Sequence, residues 1–94
     1  MDLSIAYNKA TSMTEAFDLA KVEITPEYVA KFKVKSELSY DRDNGDMIAT
    51  GKGFTLTLKF KEGECDVSIK LSFLLKPLRG KILEAVERKL QKHT

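Results

Sequence analysis

The feature that most constrains this chain is a pair of strictly alternating runs in its second half. Phe54, Leu56, Leu58 and Phe60 alternate with Thr55, Thr57, Lys59 and Lys61. After Glu62-Gly63 the rhythm resumes in Cys65, Val67, Ile69, Leu71 and Phe73, with Asp66, Ser68, Lys70 and Ser72 between them. A period of two puts every second side chain on one face, so each run predicts a strand with one apolar and one wet face. The short Glu62-Gly63 connection pairs them as an antiparallel hairpin. The apolar face must then be covered by elements from elsewhere in the chain.

Downstream, Pro77 ends extended structure and opens a helix. Leu78, Ile82, Ala85, Val86 and Leu90 recur there at spacings of three and four, with Lys81, Glu84, Arg88 and Lys92 elsewhere. This long C-terminal helix is predicted to lie across the sheet. Upstream, Leu3, Ile5 and Tyr7 predict a short first strand. Ser12-Met13-Thr14-Glu15 has the form of a capping box, with a helix starting at Met13 and stopping near residue 23, ahead of the β-branched residues and Pro26. Thr25-Pro26-Glu27 begins a second, short helical piece carrying Tyr28, Val29 and Phe32.

Period two returns at Phe32, Val34, Leu38 and Tyr40, which predicts the second strand from Phe32, with Lys33, Lys35, Glu37 and Ser39 facing the other way. Asn44-Gly45 predicts a type I′ hairpin, since both residues tolerate positive φ. The third strand is expected over Asp46 to Thr50, and Gly51-Lys52-Gly53 predicts a bend or tight turn. The element order is β-α-(α)-β-β-β-β-α. The fold class is α+β, a curved antiparallel sheet packed by an N-terminal helical segment and a long C-terminal helix in one domain over residues 1–94.

Composition agrees with one folded domain: 94 residues, 43% hydrophobic and 32% charged. The longest uncharged runs, Leu3 to Asn8 and Gly53 to Leu58, fall far short of the roughly 20 apolar residues of a membrane span. A lone Cys65 makes no internal disulfide and predicts a reducing, cytoplasmic setting. The net charge of +2 is asymmetric: residues 76–93 hold six Lys/Arg against two Glu, and residues 1–75 hold ten against twelve Asp/Glu. That basic end is too weak to predict nucleic-acid binding, but it suits an anionic surface.

No catalytic or metal constellation emerges. Asp41, Asp43 and Asp46 begin like a calcium loop, but the glycine comes one position early and Lys52 stands where a bidentate Glu is needed, so a hairpin turn is expected. Gly51-Lys52-Gly53 leads into a strand rather than the helix a phosphate loop requires, so a structural bend is expected. Cys65 falls on an apolar face, and His93, close to the end of the sequence, has no triad-like neighbours. No metal, cofactor or enzymatic activity is predicted. Lys76, Arg79 and Lys81 cluster at the start of the last helix, where positive charge opposes the helix dipole. Lys76 and Lys81 are candidates for an anionic surface. So is Arg79, although an internal partner, a carboxylate or two backbone carbonyls, is the favoured role, because the turn must fix the angle at which the helix leaves the sheet.

The stretch Leu71-Ser72-Phe73-Leu74-Leu75-Lys76-Pro77-Leu78-Arg79-Gly80-Lys81-Ile82 resembles the signature of the bacterial polyhydroxyalkanoic acid system proteins. The chain departs from that family's usual pattern in lacking Trp and in placing Leu83 where an acidic residue is common. The resemblance implies association with polyhydroxyalkanoate granules and a shortened START-like, helix-grip fold. Such a fold would leave an apolar groove between sheet and terminal helix. Its candidate lining residues on the strands are Phe54, Leu56, Leu58, Phe60, Val67, Ile69, Leu71 and Phe73, and on the helix Leu78, Ile82 and Val86. The expected partner is an apolar ligand or the polymer granule surface, reached through a binding or accessory role. A homodimeric adaptor without a small-molecule ligand is the alternative, since sheet edges must be covered or charged.

Overall fold

The computed structural model describes residues 2–94. Its strands are β1 (Leu3–Ala6), β2 (Ser36–Asp41), β3 (Asp46–Gly51), β4 (Phe54–Phe60) and β5 (Glu64–Leu71). Helices α1 (Met13–Glu23) and α2 (Pro26–Ala30) lie between β1 and β2, and a 3₁₀ turn (Lys76–Leu78) leads into α3 (Arg79–His93). The strands form one antiparallel sheet in the order β1-β5-β4-β3-β2, so the expected α+β element order is the one observed.

Register explains why the alternating runs form the centre of the sheet. Leu56 stands opposite Ile69 and Ala49, and Leu58 opposite Val67 and Met47, so apolar side chains from three strands share one face. The helices close that face. Ala16, Phe17 and Ala20 of α1 and Ile82, Val86 and Leu90 of α3 are buried against it. Phe17 meets Phe60 edge-on, with ring centroids 5.7 Å apart and an interplanar angle of 76°.

The helix starts follow their capping chemistry. Ser12 Oγ accepts from the Glu15 N–H at 3.1 Å, and Thr25 Oγ1 accepts from the Tyr28 N–H at 3.1 Å ahead of Pro26. The Glu15 carboxylate takes the Thr11 N–H at 2.7 Å instead of closing the box on Ser12. At the other end of α3, Asn8 Nδ2 donates to the Gln91 carbonyl, and the Lys9 and Ala10 N–H groups both donate to the Thr94 carbonyl. The β1–α1 loop thereby satisfies carbonyls that the last helical turn leaves open.

Three local expectations are corrected. The second strand starts at Ser36, not Phe32: the Phe32 and Lys33 N–H groups turn back to Val29 and Ala30, and Lys33 adopts φ 64°. Phe32 follows the helix, so its apparent place in a period of two comes from an end-of-helix side chain packed on Tyr28. The Asn44-Gly45 turn is not type I′. Only Gly45 has positive φ, the Gly45 N–H donates to the Arg42 carbonyl, and Asp41 accepts from both the backbone and the side chain of Asn44. Four residues thus connect Asp41 to Asp46, a longer hairpin loop with one left-handed glycine. Finally, β5 ends at Leu71. The Ser72 N–H turns to the Gly53 carbonyl, which takes Phe73 out of the strand and away from the apolar face.

Candidate functional site

Of the residues expected to line a groove, Phe54, Leu56, Leu58, Phe60, Val67, Ile69, Ile82 and Val86 are all buried, none more than 8% exposed, and form the core beneath α1 and α3. Leu71 and Leu78 are partly buried at its rim. Phe73 is 84% exposed and Leu74 86%. The two large apolar side chains thus stand next to each other in solvent, without cover from the rest of the chain.

The loop that carries them is tightly built. Both the Leu75 and the Lys76 N–H donate to the Ser72 carbonyl, and the Ser72 N–H donates to Gly53 at 2.8 Å. Gly53 has φ 71°, and a Cβ there would stand 2.7 Å from Ser72 Oγ. The β3–β4 turn and the β5–α3 loop therefore sit in direct contact, and Leu75 turns inward while Phe73 and Leu74 point out.

Around this tip the fold gathers lysines from separate parts of the chain. Lys33, Lys35 and Lys52 line one cleft with Val34 and Leu75. Lys31, Lys33 and Lys81 line a second with Phe32, Leu78 and Ile82. Lys76 follows Leu75 directly, and Lys70 lies one pair from the end of β5, opposite Thr55. All seven are exposed, and none of them forms an ion pair with a described carboxylate.

Ion pairs dominate the opposite end of the sheet instead, where Lys59 meets Asp46, Lys61 meets Asp66 and Arg42 takes both oxygens of Asp18. Asp43, Glu62 and Glu64 lie in or beside the turns there. The molecule carries a basic, apolar pole and a paired, acidic one.

Arg79 stands apart from the lysines. It binds the Asp2 carboxylate at 2.5 Å, and the other Asp2 oxygen accepts from the Ile69 N–H at 2.9 Å. The Ile69 N–H and then the guanidinium favour the ionised form of Asp2 and hold its pKa below the usual carboxylate range. Arg79 thus has an internal carboxylate, which fixes the first turn of α3 to β1 and β5. Lys76 and Lys81 remain at the basic pole.

The groups suited to chemistry are placed otherwise. Cys65 is buried, and burial pushes its thiol up to about 12, leaving almost no thiolate at neutral pH. His93 lies 3.2 Å from Glu23, a carboxylate it shares with Lys89. Tyr7 is likewise held protonated by burial, its hydroxyl donating to the Lys61 and Glu64 carbonyls.

Sequence periodicity missed most of this site. Phe73 fits the alternation of strand 5 so well that only the following Pro77 hints at an early end. Lys33 and Lys35 read as an ordinary wet face, and nothing linear brings them to Lys52.

The family model for polyhydroxyalkanoic acid system proteins matches residues 8–93. The chain belongs to that family. The match spans all three α-helices, four of the five strands and the whole tip. No curated protein and no solved structure matches the chain. Among the described residues, no helix is long and apolar enough to cross a membrane.

Proposed function

We propose that this polyhydroxyalkanoic acid system protein is a non-enzymatic accessory protein that docks on the polymer granule surface through its lysine-ringed tip. The observation that carries the reading is the exposure of Phe73 and Leu74, 84% and 86%, on a short loop tied at both ends by the backbone hydrogen bonds of Ser72, Leu75 and Lys76. A loop so tied loses little conformational entropy on adsorption, so the apolar burial is largely retained as binding energy. Each side chain contributes about 1.5–3 kcal/mol when fully buried, and half-burial of both amounts to more than about tenfold in partition. Membership in the family supplies the granule, and the placement of Cys65 and His93 supports a binding role over a catalytic one.

The test is cosedimentation with washed polyhydroxyalkanoate particles. Wild type is expected to pellet with them and the double variant Phe73→Ser/Leu74→Ser to stay in solution, with an unchanged melting temperature because both side chains are already in water. Equal pelleting of the two proteins, or none by wild type, overturns the reading. The homodimeric adaptor is supported by the two sheet edges, β1 and β2, each of which has a strand partner on one side only. A concentration-independent monomer mass in sedimentation removes it.

A further inference from the structure

The cleft formed by Lys33, Val34, Lys35, Lys52 and Leu75 has a volume of about 220 Å³ and opens to solvent beside the Phe73–Leu74 loop. Three segments build it: the α2–β2 connection brings Lys33 and Lys35, the β3–β4 turn brings Lys52, and the β5–α3 loop brings Leu75. Gly51 lets the segments approach: a Cβ at that position would stand 2.3 Å from the Lys35 carbonyl and 3.2 Å from Val34. Lys33 is the one non-glycine residue with positive φ among those described, at 64°. Glycine or asparagine holds that conformation at lower cost, so the chain keeps a cation here against its backbone preference. Strain of this kind concentrates where function requires a particular side chain. Glu37 is the carboxylate nearest in sequence, and it lines a neighbouring cleft with Lys35 without forming an ion pair.

Three exposed lysines that form no ion pair with a described carboxylate line this cleft together with Val34 and Leu75, a lining that suits an anion carried on an apolar body. The volume suits a headgroup and is smaller than the usual 300 Å³ or more of a pocket that encloses a whole organic ligand. We infer that this cleft binds the phosphate headgroup of an anionic lipid, with Phe73 and Leu74 lying among the acyl chains. The inference goes beyond adsorption to the polymer, because it names a second chemistry at the same tip and requires phosphate, which the polymer lacks.

The test uses the full chain with two probes. Vesicles of phosphatidylglycerol and of phosphatidylcholine are compared by cosedimentation, and inorganic phosphate is titrated while backbone amide resonances are followed. Wild type is expected to bind phosphatidylglycerol vesicles and not phosphatidylcholine, and to lose that binding at high salt. Lys33→Gly is the informative variant, because it relieves the backbone and so keeps or raises the melting temperature while weakening vesicle binding about fivefold. Lys52→Glu should weaken it more, since it both removes and opposes charge.

Equal binding to the two vesicle types, or an unchanged affinity of Lys33→Gly, overturns the proposal. Phosphate-induced shifts at residues 33–35 and 52 without vesicle binding assign the cleft to a soluble phosphate and overturn the lipid headgroup. Particles of bare polymer separate this result from the granule reading: their adsorption depends on Phe73 and Leu74, and Lys33→Gly leaves it nearly unchanged.

Discussion

At the scale of single residues, Gly80 and Cys65 show how little the local sequence says about role. Gly80 belongs to the family-like turn, yet its φ is not positive and a Cβ built there meets nothing within 4 Å. It lies in α3, where glycine costs helix stability relative to alanine. Gly80→Ala is therefore expected to stabilise the fold by about 0.5–1 kcal/mol, read as a rise in the thermal or urea midpoint. A fall would mean that the backbone at this position does not accept a side chain after all. Gly51 is the opposite case, since its Cβ would collide with the backbone of the α2–β2 segment. The thiol of Cys65 follows its burial: raised to about 12, it should resist alkylation at pH 8 in the native protein and react on unfolding in urea. Rapid native modification would refute that placement. The sequence placed Cys65 on the apolar face by counting alternate positions, and the same counting misplaced Phe73. Alternation reports which side a residue takes while a strand lasts, but not the residue at which it ends.

At the scale of elements, what was readable were the caps and the periods, because each is decided by neighbours in sequence. Ser12 and Thr25 start the two N-terminal helices as their side chains dictate. The late start of β2 was hidden because Lys33 adopts a left-handed conformation that lysine seldom takes, so the chain reverses without a glycine to announce it. The weight of the fold rests on helices closing one sheet face. Phe17→Ala removes the α1 ring that packs on Phe60 and should cost about 3–5 kcal/mol, a large part of what a domain of this size has. A midpoint shift under 1 kcal/mol in urea would show that α1 is not part of the core. At its first turn, α3 adds an ion pair to the apolar packing of Ile82, Val86 and Leu90 on the sheet. Arg79→Ala should lower the melting temperature, more at low salt than at high, and Asp2→Asn should do the same at neutral pH. Because the folded-state pKa of Asp2 is lowered, its stabilisation is complete above the ordinary carboxylate pKa of about 3.9 and disappears as pH falls through the lowered value. Wild type and Asp2→Asn should therefore converge in acid, and a difference that persists there would locate the effect elsewhere.

At the scale of the whole molecule, the decisive property is where charge sits rather than how much there is. A net charge of +2 predicts little, and the linear reading found a basic segment only in residues 76–93. Folding redistributes it. Half of that segment, Arg88, Lys89 and Lys92, runs to the far end of α3, where Arg88 and Lys89 pair with Glu84 and Glu23, while Lys31, Lys33, Lys35, Lys52 and Lys70 join Lys76 and Lys81 at the near end. No pattern in sequence encodes this convergence, because it depends on the β3–β4 turn meeting the β5–α3 loop, a contact between residues 53 and 72. Lys9 and Lys76 make the consequence measurable. Lys9 lies beside Thr94, beyond the end of α3, and Lys76 just precedes its start. The 15 residues of α3 span about 22 Å at 1.5 Å per residue, against a Debye length of about 8 Å at physiological ionic strength. A charge at one pole is thus screened from a surface at the other. Lys9→Glu and Lys76→Glu change the net charge equally, yet only Lys76→Glu should weaken adsorption to anionic vesicles, by more than about fivefold, with Lys9→Glu within twofold of wild type. Equal losses would mean that net charge governs binding and that the two poles do not act separately.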